Sequence, residues 1–235
     1  MKPYRQVAIV ECHEPLVPIP VEVFGLVQPH PYEQLGAPYG DKSPFFLRQG
    51  VIDRLTTAQA ALQRSHSNWK IQIFDAYRPI AVQQFMVDYA FQALVREKGW
   101  QSDRLTDGQR QEIYQQVYEF WAVPSADPAT PPPHSTGAAI DLTLVDGLGQ
   151  PVEMGSPIDE LSPRSYPDHF ANSSNPDEQR YHQHRQLLYE SLAAAGFTRH
   201  PQEWWHFSYG DQLWAWLLSQ NQPNLSVVAR YGTIH

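Results

Sequence analysis

Cysteine is nearly absent from this sequence: Cys12 stands alone among 235 residues. One thiol cannot build an internal disulfide framework or a cysteine-based zinc finger. Charge is also scarce, at 18% of residues against the ~25% of ordinary globular domains. Basic charge is scarcer still. Seventeen Lys and Arg against 25 Asp and Glu leave a net charge of −8, which argues against nucleic acid as a partner, because phosphate binding needs a basic field. Long apolar runs are missing. Val7-Ala8-Ile9-Val10 is interrupted by Glu11, His13 and Glu14, too short for a signal-peptide core or for a span of ~20 residues. The expectation is a cytoplasmic protein with no membrane span. No serine sits in a glycine-flanked elbow, and no glycine-rich phosphate loop follows a strand, so neither a Ser-His-Asp hydrolase nor a nucleotide-binding α/β fold finds support.

What is present points elsewhere. Hydrophobic residues make up 42% of the chain and aromatics 12%, which suits a packed core and excludes a disordered chain. Ten histidines stand beside 25 carboxylates, so any bound metal takes N and O ligands. There is no internal repeat, and neither proline-rich stretch is long enough to be an interdomain linker. One domain over residues 1–235 is the simpler reading, with an irregular proline-rich segment at about residues 11–46.

Both hydrophobic periods occur. Val51, Leu55, Ala58 and Leu62 recur at helical spacing, and Trp69 to Ile73 alternates as a strand. Pro79 opens a helix with Val82, Phe85, Met86, Tyr89 and Ala93 on one face, ending near Gly99. A further helix from about Asp107 carries Ile113, Val117, Phe120 and Trp121. Ile140, Leu142 and Leu144 alternate with Ala139, Asp141 and Thr143 as a second strand. Asn175-Pro176-Asp177-Glu178 starts another helix, with Gly196 as its C-cap. Trp204 to Tyr209 reads as a short strand, and Asp211 begins a last helix. Helices separated by isolated strands give an α+β fold class.

Three segments carry candidate chemistry, each at the edge of an expected strand. In His134-Ser135-Thr136-Gly137-Ala138-Ala139-Ile140-Asp141, the small residues let the chain double back, so His134 can approach Asp141. An imidazole and a carboxylate converging this way can ligate zinc; they can equally form an ordinary hydrogen-bonded pair. In Glu203-Trp204-Trp205-His206-Phe207, residues three apart on one strand face opposite ways. Pro201-Gln202 therefore puts Glu203 in the turn and His206 in the strand. His206 would be a third ligand with Glu203 as a base beside an open position; the alternative is a buried core histidine. In Asp75-Ala76-Tyr77-Arg78-Pro79, Pro79 holds Arg78 extended, where a guanidinium can stabilise an oxyanion. By itself this last segment favours a surface arginine paired with Asp75. The remaining histidines are poorer candidates. His182 and His184 are two apart on a helix, and His200 could compete as a ligand from a charged turn. His13, His30, His66, His169 and His235 have no partner that spacing justifies.

In this order the segments resemble the D-alanyl-D-alanine dipeptidase family, zinc peptidases related to the vancomycin-resistance dipeptidase, to zinc D,D-carboxypeptidases and to the hedgehog signalling domain. The family pattern is Tyr-Arg-Pro, then His-x-x-Gly-x-Ala-x-Asp, then Glu-x-x-His, matched here by Tyr77-Arg78-Pro79, His134 to Asp141, and Glu203 to His206. The likeness runs from about Tyr39 to Tyr209. Ala139 to Leu144, and Met154-Gly155-Ser156 with Asp159, are similar to the dipeptidase branch in particular. The resemblance implies a small, mainly antiparallel sheet that carries the zinc site and is packed by helices. It also implies one zinc per chain on His134, Asp141 and His206. Glu203 becomes general base and then acid, and Arg78 stabilises the tetrahedral oxyanion. Asp159 receives the substrate's ammonium group, and Tyr39 lines that amino-terminal pocket. The implied reaction is hydrolysis of a small D,D-dipeptide to two D-alanines by a metal-activated water, with no obligate protein partner. One position departs from the family, which has a small hydroxyl residue two positions before the first histidine. Here it is Pro132, which removes a hydrogen-bond donor near the substrate. Two other readings keep the same ligands: a zinc carboxypeptidase or endopeptidase acting on longer murein peptides, and a zinc-containing binding module without turnover.

Overall fold

The computed structural model describes residues 2–221 and 227–234; His235 lies outside them. After a 3₁₀ turn at Pro3–Gln6, the chain runs through β1 (Leu16–Pro18), β2 (Gly25–Leu26), α1 (Pro31–Gln34) and β3 (Phe46–Arg48). This is the irregular proline-rich stretch, and its only helix has four residues. The larger elements follow: α2 (Gln49–Gln63), β4 (Lys70–Asp75), α3 (Ile80–Glu97), α4 (Asp107–Phe120) and β5 (Ala139–Val145). The chain continues with α5 (Pro176–Ala193), β6 (Thr198–Arg199), β7 (His206–Ser208) and α6 (Gln212–Asn221). The α+β class expected from the sequence is the class observed.

Five strands form one sheet in the order β2-β4-β5-β7-β6, and β1 pairs with β3 apart from it. The β2–β4 pair is parallel; the other three pairs of the large sheet are antiparallel. Its centre, β5, is buried along almost its whole length, with Ile140, Leu142 and Leu144 in the core and Asp141 turned to the site. Val51, Leu55, Ala58 and Leu62 of α2 are fully buried and pack with Ile71 and Ile73 of β4 and Leu188 and Leu192 of α5. Local signals set the helix ends. Thr106 and Gln109 close a capping box at α4. Asn175 Oδ1 accepts the Asp177 N–H at 2.9 Å, and Asp211 Oδ1 accepts the Trp214 N–H at 2.8 Å.

Several expected details shift. The strand read over Trp204 to Tyr209 shortens to His206–Ser208, and α5 is capped at Ala194, two residues before Gly196. On α3 the buried stripe is Val82, Met86, Val87, Ala90, Phe91 and Val95, whereas Tyr89 is 41% exposed. Helix α3 has more apolar residues than one face holds. Packing against Ile113 and Val117 of α4 selects the stripe, and the hydroxyl of Tyr89 keeps that side chain soluble. Trp121 falls just past the end of α4 and is buried. Among the described residues, no helix is long and apolar enough to cross a membrane.

Two apolar clusters result: one of the sheet with α2 and α5, and one of α3 and α4 with Tyr32, Tyr39 and Trp121. Trp205 of the first and Trp121 of the second line a common cavity, so the candidate site lies where the clusters meet.

Candidate active site

Sheet register brings the key residues together. Asp75, Asp141 and His206 are paired across β4, β5 and β7, so three polar side chains form a row over the sheet. A register shift between Ile73 and Asp75 re-aims the end of β4 into this row. His134 arrives from the preceding 3₁₀ turn, Pro133–Thr136. Gly137 makes its return possible at φ 69°, where a Cβ would sit 2.6 Å from Leu16 Cδ1.

His134, Asp141 and His206 are buried, and their ligand atoms all lie within 4.8 Å of one another. His134 Nε2 is 3.2 Å from His206 Nδ1 and 3.3 Å from Asp141 Oδ2. His206 Nδ1 is 3.1 Å from Asp141 Oδ1. The outer bonds fix which ring atoms face the cluster. His134 Nδ1 is 2.8 Å from the Ala76 carbonyl, which only accepts, so Nδ1 donates and the neutral ring turns the Nε2 lone pair inward. On the far side of His206, Nε2 is 3.4 Å from Ser208 Oγ, and that hydroxyl donates to Asp211 Oδ2 at 2.8 Å. The Nε2–H therefore points to Ser208 and the Nδ1 lone pair points inward. Such outer contacts orient metal-binding imidazoles. Two imidazole nitrogens and one carboxylate suit zinc, with room left in its coordination sphere. Burial alone would raise the pKa of Asp141, but His134 and His206 outweigh it and hold the carboxyl well below its ordinary value.

Glu203 precedes β7 in a turn, as Pro201 requires, and its Oε2 lies 3.7 Å from His206 Nδ1. Burial, reinforced by the charge of Asp141, pushes its pKa up to about 8. A carboxyl tuned toward neutrality suits proton transfer in both directions.

Arg78 is buried, not a surface residue. Its pairing with Asp75 exists, at 2.7 Å, and the guanidinium also donates to Asp141 Oδ2 at 3.2 Å, Gln83 Oε1 at 2.9 Å and Tyr32 Oη at 3.3 Å. Tyr32 and Trp121 flank it, each ring centroid 5.1 Å away. The backbone repeats the link: Arg78 N–H donates to the His134 carbonyl at 3.2 Å, and Ser135 Oγ donates to the Arg78 carbonyl at 2.8 Å.

Asp159 lines the same cavity as His134, Asp141, His206, Glu203 and Arg78. It sits at φ 66°, a region a non-glycine residue seldom adopts without a local reason. Burial, with the charge of Asp141, pushes its carboxyl up to about 7. Tyr32 Oη donates to Asp159 Oδ2 at 2.7 Å. The sequence reading expects Tyr39 to line the amino-terminal pocket; in the structure the tyrosine that reaches Asp159 is Tyr32. Tyr39 is buried with its hydroxyl donating to Asp75 Oδ1 at 2.9 Å. The loop before β3 turns at α1, and on either side of this turn Tyr32 reaches Asp159 and Tyr39 reaches Asp75.

Sequence reasoning named Asp75 and His200 but missed Lys2 and Tyr4. Asp75 is fully buried and anchors Arg78 and Tyr39, and its Oδ1 lies 3.2 Å from His30 Nε2, although neither ring nitrogen of His30 makes a hydrogen bond among the described residues. His200 lines the cavity, but its Nδ1 accepts the Gln202 N–H at 3.3 Å and lies 3.7 Å from Glu203, outside the ligand cluster. Lys2 and Tyr4 also line the cavity.

The loop bearing Asp159 is held from behind. Arg185 is fully buried and donates to the carbonyls of Met154 (2.7 Å), Tyr166 (2.9 Å) and Arg164 (2.9 Å) and to Ser156 Oγ (3.1 Å). Ser156 Oγ also accepts from Trp204 Nε1 at 2.9 Å. The Met154-Gly155-Ser156 motif thus joins the Asp159 loop to the Glu203–His206 segment.

Comparison with known proteins identifies the family. The family profile described as D-ala-D-ala dipeptidase matches residues 26–228. A D-alanyl-D-alanine dipeptidase of Synechocystis sp. is 52% identical over 240 residues, covering 100% of this chain and 97% of its own. One from Enterococcus faecalis is 26% identical, covering 67% of this chain and 71% of its own. Among solved structures, the vancomycin-resistance D,D-pentapeptidase VanY in complex with Zn(II) is similar at a TM-score of 0.45 and 16% identity, over 88% of this chain and 89% of its own. The chain belongs to the D-ala-D-ala dipeptidase family of peptidases.

Proposed function

We propose that this chain is a zinc dipeptidase that hydrolyses D-alanyl-D-alanine to two D-alanines, with the whole of residues 1–235 acting as one domain. The observation that carries the reading is one cavity lined by the three candidate ligands, a carboxyl pushed up to about 8, a buried arginine and a second carboxylate. His134, Asp141 and His206 would hold the metal, and their mixed imidazole and carboxylate donors fit it. Zinc, when bound, supplies a Lewis acid that polarises the peptide carbonyl and acidifies water.

The chain's own groups account for the rest. Glu203 takes a proton from the attacking water and delivers it to the departing amine. Arg78 spends its Nε and Nη2 hydrogens on Asp75, Asp141 and Tyr32, and one Nη1 hydrogen on Gln83. The second Nη1 hydrogen is left for the oxyanion, and such donors are worth ~10²–10³ in rate. Asp159 binds the substrate's ammonium group and so rewards a free amino terminus, because an acylated terminus brings no charge to offset its desolvation. This separates a dipeptidase from an enzyme of longer murein peptides, and the presence of Glu203 separates it from a structural zinc module. We place the activity in the cytoplasm, where a single exposed thiol, Cys12, is stable.

The test is D-alanine release from D-Ala-D-Ala, its L,L isomer and its N-acetyl derivative, with and without chelator. The reading requires zinc-dependent cleavage of the free D,D-dipeptide and poor cleavage of the other two. Equal turnover of the N-acetyl form would replace it with the longer-peptide reading.

A further inference from the structure

A zwitterionic dipeptide brings two charges into the cavity, and Asp159 answers only the ammonium. The carboxylate needs a cation or several donors once water is excluded. Two cationic side chains line the cavity, Arg78 and Lys2. Arg78 is held by Asp75, Asp141, Gln83 and Tyr32, and its one remaining Nη1 hydrogen is the donor assigned above to the oxyanion.

Lys2 comes from the N-terminal segment, which is fastened across this end of the site. Tyr4 is buried. Arg5 Nη2 donates to the Val123 carbonyl at 2.7 Å, and Gln212 Nε2 donates to the Val7 carbonyl at 2.7 Å and to Ala129 at 3.0 Å. Lys2 itself is half-buried. Burial lowers its pKa while the charge of Glu203 raises it, and the Lys2 ammonium in turn acts on Glu203. Glu203 protonates the departing amine, and the carboxylate of that same residue is attached one carbon away. Lys2 lines the cavity that also holds Glu203, so its ammonium is available to the carboxylate of the departing residue.

We infer that Lys2 is a substrate-binding residue that receives the terminal carboxylate of the dipeptide, a role that rests on the dipeptidase reading. It makes the N-terminal segment part of the specificity machinery: the cavity then measures the distance between two opposite charges, and a substrate extended or neutralised at either end loses one of them.

The experiment compares D-Ala-D-Ala with D-alanyl-D-alaninamide on the untagged, zinc-loaded full chain and its Lys2→Ala and Lys2→Arg variants. Zinc content and melting temperature are checked for each protein. A charge-assisted hydrogen bond is worth roughly 10- to 100-fold here. Lys2→Ala should lose about that factor in kcat/KM on the free acid, mainly through KM, and almost nothing on the amide. Lys2→Arg should recover most of it. Equal losses on both substrates would overturn the inference and make Lys2 a positioning residue for Glu203. An unchanged preference for the acid would also overturn it. A wild-type protein that cleaves no D-Ala-D-Ala would overturn the dipeptidase reading first, and the role of Lys2 with it.

Discussion

Asp141 on β5 and His206 on β7 are direct cross-strand partners, with Asp141 Oδ1 3.1 Å from His206 Nδ1. Two of the three candidate ligands are thus set by sheet register, and the third, His134, needs only one tight turn. Asp141→Asn keeps the size of the side chain and removes its charge. It should lower zinc affinity by at least ~10²-fold with little change in secondary structure. Zinc retained per chain after dialysis against a weak chelator reads this directly, and a variant that keeps one equivalent would remove Asp141 from the ligand set.

The raised carboxyls make metal binding visible as proton release. With its pKa pushed to about 8, Glu203 in the metal-free chain is mostly protonated at pH 7. A nearby dication favours the carboxylate, so zinc uptake should expel that proton, and zinc affinity should rise with pH. Calorimetry in buffers of different ionisation enthalpy counts the protons. Glu203→Gln should release fewer than the wild type at pH 7, and equal counts would contradict the assignment. Stability has a matching sign. A carboxyl whose folded pKa lies above its unfolded value stabilises the fold fully below the unfolded pKa. That contribution is lost as pH rises through the folded value. The metal-free protein should therefore lose stability toward pH 8, and the Gln variant should lose less.

Arg78 and Asp75 form a buried pair whose halves depend on each other. Arg78→Met leaves Asp75 and Asp141 without their cation and should cost roughly 3–5 kcal/mol. Adding Asp75→Asn should restore part of that loss, because the stranded charge is then gone. Denaturant unfolding of the two single variants and the double variant tests this; strictly additive losses would mean the pair is not coupled.

Tyr32 and Tyr39 should separate functionally. Tyr32→Phe removes the donor to Asp159 and should raise KM for the free dipeptide about 10-fold. Tyr39→Phe removes a donor to Asp75 and should act mainly on stability and zinc retention. A KM effect confined to Tyr39→Phe would restore the sequence-based placement.

Arg185 has four acceptors and, among the described residues, no carboxylate partner, and burial lowers its pKa to about 9. Arg185→Met should cost on the order of 3 kcal/mol by stranding buried carbonyls, and should weaken dipeptide binding through the Asp159 loop. Thermal melting and KM should therefore move together.

Much of the site was legible in the sequence because its signals are local. The Pro201 turn separates Glu203 from His206, the alternation of β5 sets Asp141 apart from Ile140 and Leu142, and Pro79 fixes Arg78 at a strand end. The missing parts depend on long-range packing. Nothing in the spacing of Tyr32 or Tyr39 says which reaches Asp159, because the intervening loop has no period. Lys2 lies at the opposite end of the chain from His206, and only tertiary docking on α6 brings it to the cavity. The stripe of α3 was misjudged for the same reason: several apolar faces compete, and the partner helix decides.

The central claim concerns Glu203 as the proton-transfer group of a zinc dipeptidase, and single-turnover D-alanine release by zinc-loaded wild type and Glu203→Gln tests it most directly. The variant should hold one zinc per chain, bind the dipeptide, and release D-alanine at least ~10³-fold more slowly. A zinc-loaded Glu203→Gln protein that cleaves D-Ala-D-Ala at the wild-type rate would contradict it.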